Sequence, residues 1–439
     1  MSKTFRPWDV DQGWLLPPSL HDFVPAGHPA HFVRDTVREG LDLSSILSCY
    51  GEERGYPPYH PAMMVALLLY GYSRGLYSSR ALAGACEERV DFMAVTGLNR
   101  PDFRTISEFR KRHLKALGGL FAQVLELCRA AGLVRLGHVA LDGTKIKANA
   151  SRHKAMSYGR MKETEQRLAA EVQTWLSRAT AADAAEDREL GEERGDELPD
   201  WAADKQRRIE KIRAARAALE AEAASPRSDD DEPGASSGMR RSGKPRRGPD
   251  GGPPPGAQRN FTDPDSRIMN GRDGFVQGYN AQIAVDAEHQ IITAYRLTTN
   301  AADHAGLVPL VDATRKAFRK RLREISADAG FCNEANLAAL AARRIAAYLS
   351  PGRQRHHGDP VGRRTIVPGS LMAAMADRLR RAGRRSRYRL RKQVVEPVFG
   401  QIKQARRFRQ FLLRGFDKVS QEWAMICTAH NLCKLAAFR

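Results

Sequence analysis

No run of apolar residues in this chain approaches the roughly 20 that a membrane span requires; the longest candidate, MMVALLLYGY, is too short. The amino terminus, MSKTFRPWDVDQGW, has no hydrophobic signal core, so a cytoplasmic protein with no membrane partner is expected. Cysteine is sparse: Cys49, Cys86, Cys128, Cys332, Cys427 and Cys433 include no C-x-x-C pair. That argues against a zinc ribbon and a disulfide scaffold and leaves buried free thiols. Acids are scarce in one region. From residue 351 onward there are 21 Lys and Arg against 5 Asp and Glu, so +16 of the total +20 lies in the last fifth of the chain. A solvated basic face is the bland explanation, but such concentration favours a polyanion partner, with nucleic acid first.

With 439 residues, two or three folding units are expected. Residues 1–135 read as helical. Pro61 opens PAMMVALLLYGYSRG, a second helix follows Ser78-Ser79, and TISEFRKRHL begins with Thr105 and Glu108 in capping-box spacing. Short helices ending in a basic one resemble a helix-turn-helix domain, a weak signal shared by many small helical domains. From 136 the pattern turns to strands: GHVALDGTKIKA, then QGYNAQIAVDAEHQIITAYRLTT, two β-rich runs around the turn-like DAEHQ.

Between them lies an interruption, residues 153–257. Its first part predicts an antiparallel helical hairpin, with Leu168, Val172, Trp175 and Leu176 on one face of the first helix and Ile209, Ile212, Ala215 and Leu219 on one face of the second. Its second part, rich in Ser, Pro, Gly and charge, is expected to be disordered. Residues 136–152 and 258–439 then form one domain around the insert. Downstream, NAADHAGLVPLVDATRKAF reads as a helix, LREISADAG as a strand, and NEANLAALAARR as a helix capped by Asn333. The order implies a mixed sheet with helices packed on it.

Three acids stand out. Asp142 in HVALDGTKIKANAS fits an Asp-Gly hairpin turn or a metal-binding carboxylate on a buried strand. Asp328 falls at the carboxyl end of its strand, where α/β sheets bind ligands, although it could simply terminate the strand. Glu396 is the only acid between Asp377 and Asp417. On a helix, Arg389, Lys392, Glu396 and Lys403 lie in a row, and an ion pair of Glu396 with Lys392 or Lys403 is the plain alternative. Pro397 is expected to kink that helix. His430 and Asn431 in TAHNL read as packed core, and His304 in ADHAGL carries a similar discount.

Taken together, LDGTKIKANAS, NFTDPDSRIMNGRDGFVQGYNAQIAVD, ISADAGF, RKQVVEPVFGQIK and FLLRGFDKVSQEWAMICTAHNLCKL resemble the DDE transposases of bacterial insertion sequences. The broad IS-four and IS-five group is the nearest in pattern, within it the IS-eleven-eighty-two branch. The amino-terminal YPPYHPAMMVALLLYGYSRGLYSSRALAGAC and PDFRTISEFRKRHL are similar to the family's helical leader domain. The resemblance implies an α/β, RNase H-like mixed sheet with flanking helices, preceded by an all-helical domain and split by the insert. It implies Asp142, Asp328 and Glu396 as catalytic and metal-binding acids. One departure is visible: the family's last signature sets arginine four positions before the glutamate, and here Lys392 stands there, with Arg391 one place too early.

The chemistry implied is phosphodiester cleavage and strand transfer at the terminal inverted repeats. Two divalent ions, Mg²⁺ or Mn²⁺, about 3.5–4 Å apart would stabilise both the entering and the leaving oxygens. Arg389, Lys392, Lys403 and Arg407 are the candidate DNA contacts. Partners would be double-stranded DNA and a second copy of the chain on that DNA, at the nucleoid. An RNase H-like nuclease without strand transfer and a non-catalytic DNA-binding derivative are the alternatives.

Overall fold

In the computed structural model, HVALDGTKIK forms a continuous strand, β1 (His138–Lys147), with no turn at Asp142-Gly143. The structure describes residues 19–51, 57–190, 200–224, 251–271, 274–352 and 366–438. The remaining strands are β2 (Ala155–Ser157), β3 (Gln258–Asn260), β4 (Arg267–Gly271), β5 (Gly274–Asp286), β6 (Ile292–Thr298), β7 (Glu324–Ala327) and β8 (Ala346–Leu349). Two partners enclose β1. It runs antiparallel to β5, with Asp142 opposite Ile283 and Gly143 opposite Gln282, and parallel to β7, with Leu141 opposite Ala327. The hairpin reading of Asp142-Gly143 is therefore excluded: both residues sit in ladder positions of a central strand.

The sheet order is β4-β5-β1-β7-β8, with β6 also pairing β5. The β5–β6 pair is antiparallel and the β7–β8 pair parallel. This is a mixed α/β fold. Val139, Ala140, Leu141, Ile283, Ala284 and Val285 are all without exposure. A strand buried at consecutive positions is one covered on both faces, which is why VAL shows no alternation. The Leu307–Phe318 helix begins later than its sequence pattern suggests, after a short 3₁₀ turn at His304–Gly306, and this leaves Asp303 in the loop after β6.

The insert helices are Tyr158–Leu190 and Asp200–Ala224. Tyr158, Met161 and Leu168 meet Ile209, Ile212, Ala215 and Leu219 in one core, with Val172 packed against it. Ion pairs Glu171–Lys205 and Glu165–Arg213, at 2.6 and 2.7 Å, join the helices in antiparallel sense. Leu176, expected in the seam, is instead exposed. At the base, β2 and β3 form a two-stranded ribbon. Most of the Ser-, Pro- and Gly-rich tail, residues 225–250, lies outside the described residues.

The chain divides into two compact units: residues 1–133 with 405–407 and 424–439, and residues 134–404 with 408–423. In the first, Pro61 occupies the first turn of the Pro61–Ser73 helix and Ser78 caps Ser79–Glu88. The basic helix is Phe103–Arg112, and Asp102 caps it by accepting from Arg104 N–H at 2.7 Å. Thr105 thus lies inside the helix rather than at its cap; an aspartate is at least as good an N-cap as threonine. His430 and Asn431 are buried in this unit, and His430 Nδ1 lies 2.8 Å from Arg406. No described helix is long and apolar enough to cross a membrane.

Candidate functional site

The Leu390–Gly400 helix continues through Pro397. Proline has no N–H for the carbonyl four residues earlier, that of Gln393. The Gln290 side chain supplies a replacement, donating to Gln393 O at 3.0 Å. The helical period then changes at a π-turn, Gln401–Ala405. The expected row of charges is broken at both ends as a result. Arg389 lies in a 3₁₀ turn before the helix, and Lys403 turns toward β1, donating to Thr144 Oγ1 at 2.8 Å and Lys145 O at 3.2 Å. Arg389 and Lys392 are exposed. Arg407 is exposed with φ 59° and belongs to the other compact unit.

From the first turn of this helix Arg391 reaches β1. Its Nη1 donates to Asp142 Oδ2 at 2.9 Å, and its Nη2 lies 3.2 Å from Glu396 Oε1. Glu396 thus pairs with the arginine that the family signature displaces. Arg391 and Asp142 are mostly buried, whereas Glu396 is half-exposed. Asp142 Oδ1 accepts the Gly143 N–H at 2.8 Å. Burial pushes the Asp142 carboxyl up to about 7, with Arg391 and the Gly143 N–H working against it and the charges of Asp328 and Asp303 adding to the rise. Arg391, facing Asp142, Tyr388, Asp328 and Glu396, is held above its ordinary value despite its own desolvation.

Asp328 follows directly on β7, and since Leu141 is in register with Ala327, it stands beside Asp142 at the carboxyl end of β7. Its carboxylate accepts the Gly330 N–H at 2.6 Å. Among the described residues, no group of three His, Cys, Asp or Glu is arranged to hold a metal ion. The cation between Asp142 and Glu396 is the Arg391 guanidinium. The donor set nevertheless suits a hard divalent ion: Asp142, Asp328 and Glu396 offer oxygen ligands only, three carboxyl groups around the one cation of Arg391.

Two participants escape sequence reasoning. Arg391 stands one place off the signature, and Asp303 neighbours the more conspicuous His304. Asp303 accepts from Asn280 at 2.6 Å, Gln282 at 3.1 Å and Lys145 at 3.2 Å. The available signal was its place in a short polar loop, NAADHAG, just past an apolar strand.

No curated protein and no solved structure matches the chain. Two family models do. Residues 18–112 match one described as Transposase domain (DUF772). Residues 247–432, which include Asp328 and Glu396 but not Asp142, match one described as Transposase DDE domain. The chain therefore carries two transposase domains, a helical one near its amino terminus and a DDE domain that takes in most of its carboxyl-terminal half.

Proposed function

We propose that this chain is a DNA transposase of the IS-four and IS-five group, in its IS-eleven-eighty-two branch, with an RNase H-like catalytic domain. It binds the terminal inverted repeats of its insertion sequence, cuts at the ends and joins the freed 3′ ends to target DNA. The observation that carries this reading is the meeting of Asp142, Arg391 and Glu396 at 2.9 and 3.2 Å, with Asp328 in register beside them, in a chain that carries a transposase DDE domain.

Asp142, Asp328 and Glu396 would hold two divalent ions, Mg²⁺ or Mn²⁺. Such ions supply charge for the entering and leaving oxygens of an in-line displacement. Asp142, rigid on a central strand, and Asp328, beside it at the strand end, fix the direction of the site. Arg391 keeps the carboxylates apart and ordered, and its planar fork matches a phosphate as well as a carboxylate. Arg389, Lys392, Lys403 and Arg407 contact the DNA backbone, so end binding weakens steeply with salt through counterion release. The amino-terminal helices read the ends, two copies act together on the DNA, and the protein works at the nucleoid in the cytoplasm.

The test is to incubate the purified chain with the element's flanking ends, a target plasmid and Mg²⁺. Joined 3′ ends are expected. Cutting without joining would assign an RNase H-like nuclease, and binding without cutting a non-catalytic DNA-binding derivative.

A further inference from the structure

Asp303 is held from behind. Its Oδ1 accepts three hydrogen bonds, from Asn280 Nδ2, Gln282 Nε2 and Lys145 Nζ. Asn280 and Gln282, two apart on β5 and so on one face of it, have no exposure at all. Because a carboxylate only accepts, both amides must turn their NH₂ groups to it. Asn280 Oδ1 and Gln282 Oε1 are left buried with no partner. Neutralising Lys145 would not require two buried amides to forgo their acceptors. Three donors on one oxygen are what a ligating carboxylate receives from the groups behind it.

The second oxygen of Asp303, Oδ2, takes no hydrogen bond among the described residues, and it faces the turn after Asp328. A Cβ on Gly330 would lie 3.1 Å from it. On the opposite side, a Cβ on Gly143 would lie 2.7 Å from Asp303 Oδ1 and 3.1 Å from Asn280 Oδ1. Glycine next to Asp142 and glycine two places after Asp328 are what admit a third aspartate between them.

We infer that Asp303, through its second oxygen, supplies a further carboxylate ligand to the cation held by Asp142 and Asp328. The inference rests on the metal reading proposed above. Asn280 and Gln282 are positioning residues that aim this oxygen, and Lys145 only pairs with the other one.

Mn²⁺ binding to the full-length chain without DNA, followed by electron paramagnetic resonance and calorimetry, tests it. Asp303→Asn should weaken Mn²⁺ by about 10-fold or more, with the thermal midpoint retained in metal-free buffer. Lys145→Met, which removes only the ion pair, should bind Mn²⁺ as well as the wild type or better. Asp142→Asn should lose the ion. Wild-type affinity in Asp303→Asn, or equal losses in Asp303→Asn and Lys145→Met, would overturn the inference and leave the metal reading standing. A wild-type chain that binds no Mn²⁺ would overturn both. Should Asp303→Asn fail to fold, wild-type protein loaded with Fe²⁺ and treated with ascorbate and peroxide gives a second readout. Backbone cuts are expected around 303 as well as around 142 and 328, and a cut pattern that spares 303 counts against the ligand.

Discussion

In the helical hairpin, Glu165, itself only 12% exposed, takes Arg213 and Arg216 at 2.7 and 2.6 Å, and the two arginines keep 61% and 32% of their side chains in solvent. At the sheet, Asp142 and Arg391 meet at 2.9 Å with only 16% and 12% exposed. The pairs use the same chemical groups at nearly the same distance with carboxylates about equally covered, and what differs is the exposure of the arginines. In the hairpin, water screens the charges, and such pairs contribute between nothing and about 1 kcal/mol. At the sheet, desolvation outweighs the partner, and the Asp142 carboxyl rises to about 7. A buried charge kept at such a cost is a mark of function more than of stability.

The sharpest way to break this comparison is to neutralise one acid in each region. Asp142→Asn, Asp328→Asn or Glu396→Gln should lower both cleavage and strand transfer by at least about 100-fold, with end binding retained in a gel-shift assay. Glu165→Gln should leave both reactions unchanged. Full activity in any of the first three would reduce the sheet pair to one more ion pair.

A second test uses pH. With its folded value at about 7 against an ordinary 3.8, Asp142 holds a proton in the native state where the unfolded chain has released it. Wild-type stability should therefore fall as pH rises from about 4 to about 7 and level off above, by up to about 4 kcal/mol. Asp142→Asn, which stays neutral, should lack this fall, so in metal-free denaturant melts its advantage should grow across the window. Parallel pH profiles for the two proteins would contradict the desolvation account.

Removing the cations sharpens the contrast further. Arg391→Gln strands a buried carboxylate and should cost about 3 kcal/mol above pH 7, fading at lower pH as Asp142 takes up its proton. Arg213→Ala in the hairpin should cost less than about 1 kcal/mol at any pH. Equal costs in chemical denaturation would show that burial is not what separates the two pairs.

Much of the local structure was legible in the residues. The runs around DAEHQ form β5 and β6, and Asn333 caps Glu334–Ala342 by accepting from Asn336 N–H. Both signals are local, depending on periodicity and a side chain next to its own backbone. Where two local signals competed, the wrong one could win. Asp142-Gly143 has the composition of a turn yet lies in a ladder, because β5 and β7 flank it from 130 or more positions away. Pro397 sits inside its helix as the sequence placed it, and what the sequence did not show is that the Gln290 side chain occupies the carbonyl it strands.

Composition and pattern by themselves determined that this chain is basic at its carboxyl end, helical first and sheet-forming later, and that three acids stand out from their surroundings. Only the tertiary structure decided that Arg391 bridges Asp142 and Glu396 and that Asp303 lies between the glycines beside Asp142 and Asp328. The reason is physical. Propensity and capping act within a few residues, whereas a charge pair acts through space, and it is strand register, here Leu141 against Ala327, that sets which distant side chains share that space.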